Sequence, residues 1–350
     1  MIEFFDAKLE LLTIHRVGNK NREETCFQSD GLADLSEDLT QILLDYFCLP
    51  LMKVTEVNHF VHEVGLRFNE MNGIAKNIFN DKSTFLQNSV SILHHLFEQS
   101  EHPHIKTGDL FIVYFTDIYF QDDTVDAIGV FKSENKDSYL KLIDYQRQIV
   151  IDQTNGINPK KLDKACLILN LEDSDGYRVL TVDNNKYDAE YWPKKFLNID
   201  FIKDNNFETK NCVNLCKSFA QEVIKEQGGK KEQIDFLNRS VKFFEENEET
   251  SIEDYKNSLF ADSDSKQIFG KFKEKFEKDN DIIFSETFEI SKPVLSKQKK
   301  TIKNYIKLDT NIQIKLDPKN QESNDKFIEK GFDDQKSMHY YKIFFNKELD

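Results

Sequence analysis

The sequence predicts an α+β protein with a mainly antiparallel N-terminal sheet and inserted helices, a helical middle segment and a small β-rich C-terminal subdomain. Residues 108–132 contain two runs rich in Val, Ile, Phe and Tyr around the polar pair Asp122 and Asp123, which is typical of a long β-hairpin. Residues 209–276 repeat their apolar positions at helical spacing, and short β-rich runs return after Asp281. The predicted domain boundaries are therefore 1–190, 191–280 and 281–350.

The chain before the hairpin is predicted to begin with strands and to continue with three helices. Ser36 is a suitable N-cap for the first helix, and Pro50 is expected to lie beyond its end. Residues 54–66 fit either a strand or an irregular connection. The other predicted elements are strands at 2–12, leading into Ile14 and His15, and at 25–29, and helices at 34–47, 69–79 and 83–98.

The chain after the hairpin is predicted to pass through a short connection at 137–143 into a strand at 148–152. Turn residues at 155–159 and 173–176 then separate strands, and Thr209 is a candidate cap for the first helix of the middle segment. The remaining predicted elements are strands at 164–171 and 177–183, helices at 209–227, 232–246, 251–259 and 267–276, and strands at 282–290, 302–308, 312–316, 326–330 and 339–345.

The composition limits the classes of function that the protein can have. The 350 residues carry a net charge of −15, whereas proteins that bind nucleic acid with their whole surface are usually basic. Any nucleic-acid contact must therefore use a local basic face. We expect no membrane association, because no run approaches the ~20 apolar residues of a membrane helix. The N-terminus lacks the pattern of a signal peptide, and five cysteines without framework spacing favour a reducing cytosol.

One lysine-rich run interrupts this acidic chain. Residues 291–308 contain no acid and no arginine, so they offer point charges for phosphates but no bidentate reader of bases. Tyr305 and Phe288 are candidates for stacking. The same pattern also fits a solvated loop and strand face. The candidate DNA-binding residues are Lys292, Lys297, Lys299, Lys300, Lys303 and Lys307.

Other clusters predict neither a catalytic nor a metal site. The hairpin acids with Lys132 resemble parts of a two-metal nuclease, but Val130 occupies the position where the acid of an acid-x-lysine pair is expected. The cysteines at the i, i+4 positions of a helix, 212 and 216, are expected to pack in a core. The histidine groups lack a recognised zinc spacing. The acids concerned are Asp117, Asp122, Asp123 and Asp126, and the histidines are His59, His62, His94, His95, His102 and His104.

The order of these elements resembles the bacterial 37-kDa nucleoid-associated protein family of the NdpA or YejK type. The resemblance rests on the strand with Ile14 and His15, the apolar hairpin at 108–132, the turn at Asn158 and Pro159, and the helical segment before a β-rich tail. It covers nearly the whole chain. It implies a cytoplasmic, nucleoid-located protein that associates with DNA and contacts DNA-handling enzymes such as topoisomerases. It supplies no catalytic residues.

We therefore expect a non-enzymatic nucleoid-associated protein that needs no cofactor and binds DNA weakly, without sequence specificity, through the lysine run. An alternative is an acidic interaction scaffold that recruits a DNA-handling enzyme such as a topoisomerase. A metal-dependent nuclease is a lower-ranked alternative. A homodimer is also expected, because long hairpins and amphipathic helices often leave an apolar face to bury.

Overall fold

The computed structural model describes residues 2–185, 190–317 and 326–347. The chain separates into two compact units, Met1–Ile202 (unit 1) and Lys203–Asp350 (unit 2). The predicted α+β class is confirmed, with a large antiparallel sheet in the N-terminal part, helices in the middle and small hairpins towards the C-terminus. The three-part division at residues 190 and 280 stays a prediction.

The described residues of unit 1 form one eight-stranded sheet, a separate two-stranded hairpin and three α-helices. A π-helical segment spans Tyr191–Leu197. The helices are α1 (Glu37–Leu51), α2 (Glu70–Asn80) and α3 (Phe85–Glu98). The strands are β1 (Ile2–Glu3), β2 (Lys8–Val17), β3 (Asn58–Phe60), β4 (Gly108–Phe120), β5 (Asp123–Ser133), β6 (Asp137–Tyr145), β7 (Gln148–Gly156), β8 (Lys164–Leu169), β9 (Arg178–Asp183) and β10 (Ile199–Phe201).

The predicted central hairpin is confirmed as β4 and β5. The sheet runs in the order β1-β4-β5-β8-β9-β3-β10, with β2 also paired to β4, and every neighbouring pair is antiparallel. Alternate residues of β4 point to opposite faces. Leu110 and Ile112 join the cluster that contains residues of α2 and α3, whereas Phe111 and Val113 join the cluster that contains residues of α1. Both faces of the hairpin are therefore buried, which explains its nearly continuous apolar runs.

The first helix confirms one predicted cap and corrects one predicted boundary. The Ser36 hydroxyl accepts a hydrogen bond from the Leu39 N–H, as an N-cap does. However, α1 continues to Leu51, so Pro50 lies inside its last turn rather than beyond it. A proline at this position costs the helix only one hydrogen bond, the one that its own N–H would have donated.

The prediction of a simple connection at 137–143 was wrong. This segment is strand β6, which pairs with β7 over its whole length from Asp137↔Gly156 to Tyr145↔Gln148. The strand was missed because apolar side chains lie on both of its faces while nearly the whole strand is exposed, so no core-facing alternation is visible.

Unit 2 is helical at first and ends in short strands. A π-helical segment, Ala220–Ile224, joins the first two of its helices. The helices are α4 (Asn205–Phe219), α5 (Lys225–Gly228), α6 (Lys230–Glu246), α7 (Ile252–Leu259), α8 (Ser263–Asn280) and α9 (Lys292–Lys299). The strands are β11 (Glu249–Thr250), β12 (Phe288–Glu289), β13 (Tyr305–Lys307), β14 (Gln313–Lys315), β15 (Ile328–Asp333) and β16 (Met338–Ile343).

Two predicted features of unit 2 were wrong. Thr209 does not begin a helix, because Asp204 caps α4 and the buried Thr209 hydroxyl accepts from the N–H of Ser291. The strand predicted at 282–290 is reduced to the two residues of β12. Phenylalanines explain this second error, since Phe284 and Phe288 fill an aromatic core around Phe219 without forming an extended ladder.

A buried ion pair lies at the end of the central hairpin opposite its turn. The side chain of Lys132 is fully buried, and its Nζ donates to Glu134 Oε1 at 2.8 Å and to the Lys106 carbonyl at 2.7 Å. Burial lowers the pKa of Lys132, while the charge of Glu134 opposes that shift. Two desolvated charges therefore depend on each other here.

Replacing Lys132 by alanine should lower the free energy of unfolding by about 3–5 kcal/mol, because the Glu134 carboxylate would stay buried without its partner. Urea unfolding followed by circular dichroism measures this change. The exposed pair Lys8–Asp117, of similar length at 2.9 Å, is the control, and Lys8→Ala should have no measurable effect. The double variant Lys132→Met/Glu134→Met should unfold less readily than Lys132→Ala, and the opposite order would contradict this account.

The histidine of the predicted Ile14-His15 strand is buried. Its Nδ1 accepts from the N–H of Ser29 at 3.1 Å, and its Nε2 lies 3.0 Å from the Ser89 hydroxyl. Because Nδ1 accepts, the ring is neutral with its proton on Nε2. Burial, and then the charge of His94, lower the pKa of His15.

His15 should make stability depend on pH. A histidine whose folded pKa lies below its unfolded value of about 6.5 binds protons more readily when unfolded, so its contribution is complete above that pH and is lost as pH falls below it. We expect His15→Gln to reduce the loss of unfolding free energy between pH 7 and pH 5. His104→Gln, on the surface, is the control. Equal pH slopes for wild type and His15→Gln would contradict the prediction.

Candidate nucleic-acid interface

The six predicted lysines do not form one face. Three of them lie on α9, where Val294 and Leu295 form the buried side, and this helix replaces the loop expected from the sequence. The others follow it towards β13. By position, Lys292, Lys297 and Lys299 belong to α9, Lys300 caps its C-terminus, Lys303 lies in the connection and Lys307 lies on β13.

Two of these lysines stabilise the end of a neighbouring helix. Lys292 Nζ donates to the carbonyl oxygens of Phe244, Glu245 and Asn247, at 3.3, 3.2 and 2.9 Å. Lys299 forms a 2.6 Å ion pair with the carboxylate of Glu245. The last carbonyls of a helix carry partial negative charge and have no helical donors, so α6 gains both partners and charge compensation. Lys292 and Lys299 therefore have structural roles.

Of the remaining lysines, Lys307 lies on an exposed hairpin face. In the β13–β14 pair, Tyr305 lies opposite Lys315 and Lys307 lies opposite Gln313. Opposite residues of an antiparallel pair point to the same side, and the intervening residues Ile306 and Ile314 are buried in a small apolar cluster. Tyr305, Lys307 and Lys315 thus share one solvent-exposed face.

Lys303 connects this face to two lysines on other helices. The pKa of Lys230, at the start of α6, is lowered chiefly by burial and then by the charges of Lys225 and Lys303. The ammonium group of Lys230 is therefore close enough to those of Lys225 and Lys303 for their charges to repel it. We call the combined set, Lys225, Lys230, Lys303, Lys307 and Lys315 with Tyr305, the lysine surface. Among the described residues, no carboxylate forms an ion pair with Lys303, Lys307 or Lys315.

Sequence reasoning missed three members of the lysine surface. The alternation from Ile312 to Leu316 was a usable signal for Lys315, since it predicts a strand with this lysine on its polar side. Lys225 and Lys230 are more than 70 residues before Lys303, and only tertiary packing brings them together.

The hairpin acids and Lys132 are not assembled into one site. Asp117 pairs with Lys8 at 2.9 Å, and Asp126 accepts from the Tyr114 hydroxyl at 2.6 Å. Lys132 lies six residues further along β5 than Asp126, or about 20 Å at the rise of a strand. Within the described ranges, no group of three or more His, Cys, Asp or Glu side chains is arranged to hold a metal ion.

Five of the six candidate metal-binding histidines have other contacts, and both cysteines are buried. His95 lies 2.8 Å from the Phe196 carbonyl and 3.0 Å from Glu70, and His59 lies 2.9 Å from the Asp175 carbonyl. The His62 ring accepts from the Val64 N–H, and the rings of His102 and His104 contact each other. Cys212 and Cys216 are buried in unit 2, and burial raises the pKa of the Cys212 thiol.

Comparison with known protein families gives a match over residues 13–336, to the family described as nucleoid-associated protein YejK. No curated protein sequence matches the chain. In the part of the chain that the structure describes, no helix has the length and apolar character needed to span a bilayer.

The structural role of Lys292 is testable. Lys292→Ala should lower the free energy of unfolding by about 1 kcal/mol, because it removes the cation at the C-terminus of α6. Urea unfolding measures the loss, and Lys271→Ala, at an exposed position of α8, is the control. An unchanged stability together with weakened DNA binding would instead place Lys292 in the interface.

Proposed function

This chain belongs to the family of the nucleoid-associated protein YejK, and we propose that it binds DNA weakly and without sequence specificity through the lysine surface. The observation that carries this proposal is the face formed by Lys307 and Lys315 beside the exposed ring of Tyr305, with Lys303 two residues before that ring and near Lys230. Ammonium groups that pair with no carboxylate in the described ranges are available to replace the counterions of DNA phosphates.

The residue types on this surface favour binding without sequence readout. Lysine neutralises phosphate as a point charge, whereas the most common specific contact to guanine uses the two-pronged arginine side chain. Arg239 is the one arginine in the sequence from 203 to 350, and it is not part of the lysine surface. Tyr305 adds an aromatic face, which stacks on bases of any sequence when they are unpaired.

The overall charge limits the strength of this contact. The chain has 62 acidic and 47 basic side chains, so a duplex that approaches the lysine surface meets repulsion from the rest of the molecule. Because the favourable contacts are few and electrostatic, binding should weaken steeply as salt increases. We further propose a cytoplasmic, nucleoid location, in line with the family description, and separately that the protein has no catalytic activity and needs no cofactor.

A salt titration of duplex binding tests the proposal. The triple variant Lys303→Glu/Lys307→Glu/Lys315→Glu should bind a labelled duplex more weakly, and the slope of log affinity against log salt should fall by about 3, since each lost phosphate contact removes about 0.9. Fluorescence anisotropy with duplexes of two unrelated sequences measures both affinity and the lack of specificity.

The control has the same change in charge at another surface of unit 2. Lys266→Glu/Lys271→Glu/Lys278→Glu places three substitutions on α8, away from the lysine surface in sequence. This control should retain the wild-type salt slope, with any loss of affinity limited to the nonspecific effect of added negative charge. Equal binding by the wild type and the lysine-surface variant would refute direct binding through this surface.

The acidic scaffold remains the second candidate, and the excess of acidic side chains favours it. In this alternative the acidic surface recruits a basic DNA-handling enzyme, such as a topoisomerase, and the chain contacts DNA only indirectly. Wild-type protein that fails to shift a duplex at low salt but binds a purified topoisomerase would support the scaffold. That binding should also weaken with salt, because it depends on charge complementarity.

A further inference from the structure

Strands β6 and β7 form a two-stranded arm with little cover. The arm comprises residues 137–156 and pairs only within itself in the described structure. All its strand residues except Asp137 and Gly156 are exposed. An isolated two-stranded hairpin is at best marginally stable in water, and its unpaired edges favour association with another chain. The arm is therefore a surface that gains from being covered.

One face of the arm is apolar at its centre. Leu142 lies directly opposite Ile151, with Leu140 and Ile149 on the same side. These four side chains are 66–77% exposed. On the other face, Ile143 and Val150 are 37% and 43% exposed. We call the side with Leu140, Leu142, Ile149 and Ile151 the apolar face of the arm.

The same unit carries a second exposed apolar surface beside the root of the arm. Ile42, Leu49 and Met52, on and just after α1, are each at least 44% exposed. Leu49 and Pro50 also line a cavity of about 1010 Å³ whose wall includes Asp137 and Asn158 at the root of the arm. The Asn158 amide donates to Asp137 at 2.8 Å, so the turn at Asn158 and Pro159 anchors the arm there.

These two surfaces complement each other in a symmetric dimer in which each copy extends its arm onto the other. We call this arrangement a reciprocal exchange. A two-fold axis near the arm root would place each arm along α1 of the other copy, since the C-terminal end of α1, at Leu49 and Pro50, lies beside that root. Leu142 and Ile151 at the centre of this face are uncharged, and the one charged residue on the face is Asp144, opposite Ile149. At the tip of the arm, Arg147 complements the acids Glu37 and Asp38 in the first turn of α1.

The area required also favours a second copy. Two nine-residue strands about 30 Å long and about 5 Å apart present a face of roughly 300 Å². One arm against one helix would bury about 600 Å² in total, which is below the roughly 1,200 Å² of the smallest standard interfaces. The exchange makes this contact twice and reaches that value. We infer that the protein forms a homodimer in which the apolar face of each arm packs on α1 of the partner.

Sedimentation velocity over a concentration series tests the dimer without any DNA. Wild-type protein should sediment at twice the monomer mass of 41.2 kDa. Leu142→Glu/Ile151→Glu should sediment as a monomer, because it buries two carboxylates in the contact, and Ile42→Glu/Leu49→Glu should do the same from the other side. Circular dichroism of both variants should match the wild type, since all four positions are exposed.

The matched control alters the opposite face of the arm. Gln148→Glu/Thr154→Glu makes the same change in charge on the same hairpin and should remain dimeric. Mild oxidation should link Leu142→Cys protein to Leu49→Cys protein, and it should link Thr154→Cys to Leu49→Cys much less.

Three outcomes would overturn the inference. A monomeric wild type excludes the dimer, and a monomer that loses duplex binding when the arm is altered would assign the arm to DNA. A dimer that survives the arm substitutions would place the interface elsewhere. The third outcome is that the arm variants dissociate while Ile42→Glu/Leu49→Glu stays dimeric and the Leu142→Cys and Leu49→Cys proteins link no better than the control pair. That result would exclude α1 as the surface that receives the arm. None of these results depends on binding by the lysine surface.

Discussion

Burial of the central hairpin on both faces is the constraint on which unit 1 depends. Strand β4 contributes alternate residues to two apolar clusters, so helices must cover both sides of the sheet. The fit is close at Gly129, where an added Cβ would come within 2.4–2.8 Å of ring carbons of Phe131 and Phe115. Small changes of volume there must move aromatic rings in a close-packed interior. The arm lies outside this packing, which is why its side chains can be apolar without contributing to the core.

Lysine has three different roles in this chain, and the surroundings decide between them. Lys132 is buried and paired, so it supports the fold of unit 1. Lys292 donates to carbonyls at the end of α6 and supports the fold of unit 2. Lys303 lies among other ammonium groups, where electrostatic repulsion favours an anionic partner. A count of basic residues along the chain does not separate these roles, because the partners are distant in sequence.

The sequence predicted the elements whose pattern is set by packing. The β4–β5 hairpin and α1 with its Ser36 cap were recognised because burial produces continuous apolar runs or a helical stripe. Strand β6 of the arm and α9 were not, because the arm packs on no core and α9 buries only Val294 and Leu295, whereas the strand predicted at 148–152 lies within β7. For the candidate site, Lys303 and Lys307 were predicted, whereas Lys225 and Lys230 reach the same surface only through the fold of the helices. Local pattern therefore points to half of the proposed lysine surface, and tertiary contacts add the rest.

The two surfaces proposed here belong to different compact units, with the arm in unit 1 and the lysine surface in unit 2. A dimer joined through its arms would carry two lysine surfaces, one on each protomer. Once the first surface has bound, the second is held at a high effective concentration near DNA, and linked weak sites of this kind can gain a factor of about 10²–10⁴ in avidity. If the second surface reaches a separate duplex, the same dimer becomes a crosslinker of DNA segments. Weak affinity at each surface would then keep such crosslinks short-lived and allow them to rearrange.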